Sequence, residues 1–116
     1  WSEVPDDSAR FENLVSSALL KFCDYYYYTY GSKTRLWYIR DREGREVDFL
    51  VTWDETPWFL VECKQKKTRA KALSYFGDRL NVLQRFLVTR KEDNHYFDKA
   101  NKIHVIPASR FLLGLI

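Results

Sequence analysis

The sequence predicts an α/β domain in which a mixed sheet is flanked by helices. An amphipathic helix pattern stands first. Three apolar strand patterns follow, separated by short turn signals. A second helix pattern then lies between the third strand and a fourth. The length, 116 residues, suits a single domain covering 1–116 and leaves little room for another.

The first element is "PDDSARFENLVSSALLKF", where Asp6, Asp7 or Ser8 can cap a helix. Phe11, Leu14, Val15, Ala18, Leu19 and Phe22 recur at helical spacing and form its apolar stripe. Glu12 lies about 100° from Phe11, at the edge of that stripe, and can reach toward the sheet. "CDYYYYTYGSK" is read as leaving the helix, with Gly31 and Ser32 in a loop. Its tyrosine run is read as packing the helix–strand junction, with stacking on unpaired bases as the lesser alternative.

"TRLWYIRD", "REVDFLVTW" and "WFLVECK" read as three strands of an antiparallel meander, joined by turns at "REGR" and "DETP". "QKKTRAK" is a basic loop entering the helix "RAKALSYFGDRL", whose buried face is Ala70, Leu73, Phe76 and Leu80. "QRFLVTR" and "KIHVIPA" are the last two strands, and residues 91–101 between them read as a polar loop. "SRFLLGLI" closes the chain as an apolar turn or short helix. A strand–helix–strand crossover implies parallel pairing after the third strand.

Hydrophobic content of 46% and charged content of 30% are ordinary for a globular chain. A net charge of +3 permits nucleic-acid contact without demanding it. No run approaches the roughly 18 apolar residues of a membrane helix. Cys23 and Cys63, without a signal peptide, predict a reducing cytoplasm and no disulfide framework. The chain starts at Trp1 and has no methionine, so a piece of a longer protein is expected. His95 and His104 are far apart and make a poor zinc pair, and Cys63 reads as a small core hydrophobe.

Charge inside the strands is the chemical signal. Asp48 interrupts Val47 and Phe49, and Glu62 and Lys64 share one face of the third strand. A three- or five-residue turn near 54–56 would set Asp48 opposite Glu62 and Leu50 opposite Leu60; a two- or four-residue turn would separate them. Converging carboxylates need a cation nearby. Asp48 and Glu62 would hold Mg²⁺ or Mn²⁺ through hard oxygens. Lys64 would orient or deprotonate a water, and Glu12 would complete the site through a water or a second metal, set against the plainer reading of a first-turn carboxylate favoured by the helix dipole. The opposing reading is a self-neutralising, silent ion network. Arg40, Arg45, Lys66, Lys67 and Arg69 are candidate phosphate contacts, set against the plainer reading of a solvated face.

"VD" followed fourteen residues later by "ECK" resembles the PD-(D/E)xK nuclease motif, with Val47 where proline is common. The αβββαβ order is similar to that superfamily's restriction-endonuclease-like core. "RFENLV", "YIRDREGREVDFLV", "PWFLVECK", "ALSYFGDRL" and "VIPASRFL" resemble, in order, a C-terminal domain of unknown function in prokaryotic AAA-type ATPases. The resemblance implies Glu12, Asp48, Glu62 and Lys64 as counterparts of nuclease residues, and an ATPase domain preceding this one. This chain carries no G-x-x-x-x-G-K-[ST], so no ATP site of that kind is expected in it. The expected function is metal-dependent hydrolysis of DNA, and a homodimer would supply two sites for cutting both strands of a duplex. The alternative is a silent nuclease-like module that mediates DNA or protein contact, using exposed aromatics such as Trp1, Trp53 and Trp58.

Overall fold

A computed structural model describes residues 7–64, 71–90 and 95–115, with the backbone alone for Asp7, Ser8 and Lys64. Helix α1 spans Asp7–Tyr30. Strands β1 (Thr34–Arg40), β2 (Glu46–Trp53) and β3 (Thr56–Lys64) form the expected antiparallel meander. Helix α2 (Lys71–Arg79) crosses over to β4 (Gln84–Thr89), which pairs parallel to β3. Strand β5 (Tyr96–Asp98) pairs antiparallel with β6 (Ile103–Pro107), which is parallel to β4; α3 (Ala108–Gly114) follows. The sheet order is β1-β2-β3-β4-β6-β5.

Two apolar layers sandwich this sheet. Phe11, Val15, Leu19 and Cys23 of α1, four residues apart, share a core with Phe49, Val51, Val61 and Val88, and α3 adds Phe111. Leu73 and Phe76 of α2 pack on the other face with Leu50, Leu60, Leu87 and Val105. The fold class is therefore the mixed α/β sandwich expected. Among the described residues no helix is long and apolar enough to cross a membrane.

Three local expectations are corrected. α1 runs through the tyrosine run and stops at Gly31, whose φ of 71° and N–H bond to the Tyr27 carbonyl (2.9 Å) close the helix end. Only Tyr26 of the run is half-buried; Tyr25, Tyr27, Tyr28 and Tyr30 are exposed. Within the expected 91–101 loop, Tyr96–Asp98 form an edge strand whose Phe97 ring lies 4.6 Å from His104. Residues 91–94, and Asp6 and Ala70, lie outside the described residues.

Arg85 is an unforeseen buried cation, 3% exposed. Its Nε donates to the Val82 carbonyl (2.7 Å), Nη1 to the Asn101 carbonyl (2.9 Å) and Nη2 to Asp78 (2.9 Å). Gly77 makes room for it, because a Cβ there would collide with the Arg85 side chain. Gly77→Ala is therefore expected to lose about 1–3 kcal/mol by overpacking, read as a lower urea midpoint. Burial, with the Asp24 charge adding, pushes the Cys23 thiol up to about 11. Iodoacetamide at pH 8 should therefore leave Cys23 unmodified in the native protein and alkylate it after urea unfolding, as mass spectrometry would show.

Candidate functional site

The site is built by register. A two-residue turn, Asp54–Glu55 with φ of 49° and 72°, joins β2 to β3. Such a turn alone would set Asp48 and Glu62 on opposite faces. The pairing shifts by one between Val51 and Thr52, however, so that Trp58 is an extra residue on β3. The ladder then reads Val51↔Phe59, Leu50↔Leu60 and Phe49↔Val61. Leu50 opposite Leu60 is the register expected for a convergent pair, reached by turn plus bulge.

A second bulge lies under Asp48 itself. Trp37 pairs with Leu50 and Ile39 with Val47, so Asp48 and Phe49 together face the one residue Tyr38. Val47 and Leu50 consequently share the α2-side core, although strict alternation would part them. A bulge bends its strand and re-aims the side chains on it.

Beyond Phe49↔Val61 the two carboxylates take over from the ladder. The Asp48 N–H donates to Glu62 Oε1 (2.9 Å), and the Cys63 N–H donates to Asp48 Oδ2 (2.9 Å). Each strand thus holds the other by a side chain. Glu62 is buried at 7% exposure, and Asp48 is half-buried. Buried carboxylates require such donors, and among the described residues no buried side-chain polar atom is left without a bond.

The fold thus brings Asp48 and Glu62 together. Glu12 is half-buried on α1 beside Phe11, which packs in the same core as Phe49. Among the described residues no three His, Cys, Asp or Glu side chains gather as a metal-holding group. Lys64 ends β3, opposite Thr89 of β4, with only its backbone described. Lys66, Lys67 and Arg69 fall outside the described residues.

The two hairpin arginines are engaged within the chain. Arg40 Nη2 lies 3.2 Å from Glu46, an exposed and therefore weak pair. Arg45 Nε lies 2.6 Å from Asp41, Nη2 lies 2.9 Å from Glu43, and its guanidinium stands 3.7 Å over the Tyr75 ring. Arg45 thereby ties the β1–β2 hairpin to α2. Tyr75 escaped the sequence reading, since nothing in the pattern of α2 reports a ring beneath a distant arginine.

Trp53 and Trp58 are not free interface residues. Their rings lie 5.3 Å apart, and Tyr26 packs against both. Trp1 lies outside the described residues. His104 sits between Phe86 and Phe97, as an aromatic packing partner.

These elements define a small α/β domain with a carboxylate pair at the junction of two strands. The chain belongs to the family described as a domain of unknown function, DUF4143, whose model matches residues 8–111. No curated protein matches it. Among solved structures it is similar to a chain in the refined half-complex from the tetradecameric assembly of Thermococcus gammatolerans McrB AAA+ hexamers with bound McrC. The TM-score is 0.55 at 8% identity, covering 88% of this chain and 27% of that one. At that identity the likeness is one of fold.

Removing the Asp48 carboxylate would leave the Cys63 N–H without its acceptor. Asp48→Ala is expected to lose about 1–3 kcal/mol in urea unfolding, and Asp48→Asn, which keeps an acceptor oxygen, to lose less.

Proposed function

We propose that this domain is a metal-dependent phosphodiesterase module acting on DNA and coupled to an ATPase. The observation that carries the reading is the reciprocal clasp of Asp48 and Glu62 where β2 and β3 part. A carboxylate offers about four lone-pair sites, more than a single backbone N–H fills. Their hard oxygens fit Mg²⁺ or Mn²⁺, which take one or two protein carboxylates and fill the remaining positions with water and phosphate. When bound, the ion supplies a more acidic water and neutralises charge growing on the phosphodiester.

The chain's own residues do the rest. Asp48 and Glu62 would hold the ion, and their tie to the backbone restrains the carboxylates that would do so. Lys64, two residues beyond Glu62 on β3, takes the proton of the attacking water or steadies the developing negative charge. Glu12 assists through a water or a second metal. Two copies of the domain would place one site on each strand of a duplex. Partnership with an ATPase is supported by the likeness to a chain from an assembly of AAA+ hexamers. Nucleotide would then be bound by that partner.

The clasp also favours a second reading. Both carboxylates already accept backbone N–H groups, as a silent structural pair would. The domain would then serve as a docking module for the ATPase.

Calorimetry with Mn²⁺ and Mg²⁺ on the wild type and Asp48→Ala, followed by DNA cleavage, separates the two. Metal binding and cleavage that both vanish in Asp48→Ala would support the phosphodiesterase, and Lys64→Ala should then lower the rate by about 10²-fold or more. A wild type that binds neither ion would assign the silent module.

A further inference from the structure

The exposed part of the tyrosine run borders a groove that the carboxylate site does not explain. Tyr26 is fixed by Phe22, Trp53 and Trp58, with ring centroids 4.8, 5.3 and 5.4 Å away. Tyr25 and Tyr30 lean on Tyr26 at 5.5 and 5.3 Å, yet remain 56% and 63% exposed. Their own rings stand 6.4 Å apart at 80°. The outcome is a set of open aromatic faces whose positions are held by one anchored ring.

This platform borders a hollow of about 590 Å³ between α1 and α3, which also takes in Lys21 and Leu112. A second hollow of about 270 Å³ shares Phe22, Tyr26, Gly114 and Leu115 with the first and leads past Trp58 to Arg110. The two hollows adjoin along these shared residues, and the larger lies within the size range of ligand sites, roughly 300–1,000 Å³. Among the described residues, Lys21 and Arg110 are the charged ones lining the groove, and no Asp or Glu side chain lines either hollow. Aromatic faces flanked by Lys21 and Arg110 match a ligand with flat rings strung on an anionic backbone. An apolar peptide would leave the two cations unanswered, and an acidic peptide would leave the rings unused.

We propose that the groove between α1 and α3 binds unpaired nucleic acid, with bases stacked on Tyr25 and Tyr30 and phosphates met by Lys21 and Arg110. The groove and the carboxylates lie toward opposite ends of β3, since Trp58 and Glu62 are four residues, about 13 Å, apart along the strand. Binding in the groove does not require Asp48 or Glu62.

The test is fluorescence anisotropy with a labelled oligothymidine of about ten nucleotides, in metal-free buffer. The wild type should bind it more tightly than a duplex of the same length. Tyr25→Ala and Tyr30→Ala should each weaken binding about tenfold, whereas Tyr25→Phe and Tyr30→Phe keep the stacking face and the affinity. Lys21→Ala and Arg110→Ala should each reduce the slope of log affinity against log salt by about 0.7. Asp48→Ala should bind as the wild type does, which keeps failure of the cleavage site distinct from failure of the groove. Both alanine-for-tyrosine rings are largely in solvent, so the variants should retain the native circular dichroism spectrum. A wild type that does not bind the oligonucleotide, or alanine variants at Tyr25 and Tyr30 that bind unchanged, would overturn the proposal and leave the groove as a protein-docking face.

Discussion

Leu50 lies across from Leu60, and the charged residues of the sheet take their places from that pairing. The turn by itself dictates another register. Extending Trp53↔Thr56 and Thr52↔Pro57 without interruption would bring Leu50 to Phe59 and Asp48 to Val61. The extra residue at Trp58 adds the missing step. It enters next to Pro57, which lacks an N–H and is tolerated in strands at edges and bulges. Trp58 and Phe59 then both pack toward Phe22, so the irregular step is held by aromatic contacts. The slip that would have turned Glu62 away from Asp48 is thereby reversed.

With this register, two carboxylates enter the sheet without being orphaned. Each replaces a carbonyl as acceptor for the neighbouring strand, which lets β2 and β3 separate and still satisfy their N–H groups. A sheet opened in this way presents oxygen atoms where a regular one presents pleated backbone. Function resides in such a site more than in the surrounding fold. Family membership and a distant structural likeness describe the scaffold.

The sequence made the order of elements legible because burial follows simple periods. Val15 and Leu19 announced α1, and Leu73 and Phe76 announced α2. The convergence of Asp48 and Glu62 was legible only as one of two alternatives, since a bulge leaves no trace in hydropathy. The two bulges, at Trp58 and at Asp48–Phe49, answer to tertiary packing rather than to local propensity. The end of α1 was misplaced because tyrosine has a middling helix preference, while the real stop signal was Gly31. Strand β5 was hidden in a polar stretch, where pairing with β6 outweighs composition. Arg85 gave no local sign of burial, because its partners lie at Asp78, Val82 and Asn101.

That last arrangement bears on how the chain reaches its native state. A guanidinium withdrawn from water is costly until every donor has found its acceptor. One acceptor, the Asn101 carbonyl, lies sixteen residues downstream in the turn before β6. Burial of Arg85 therefore couples α2 and β4 to the turn before β6, through pairings that are parallel and non-local.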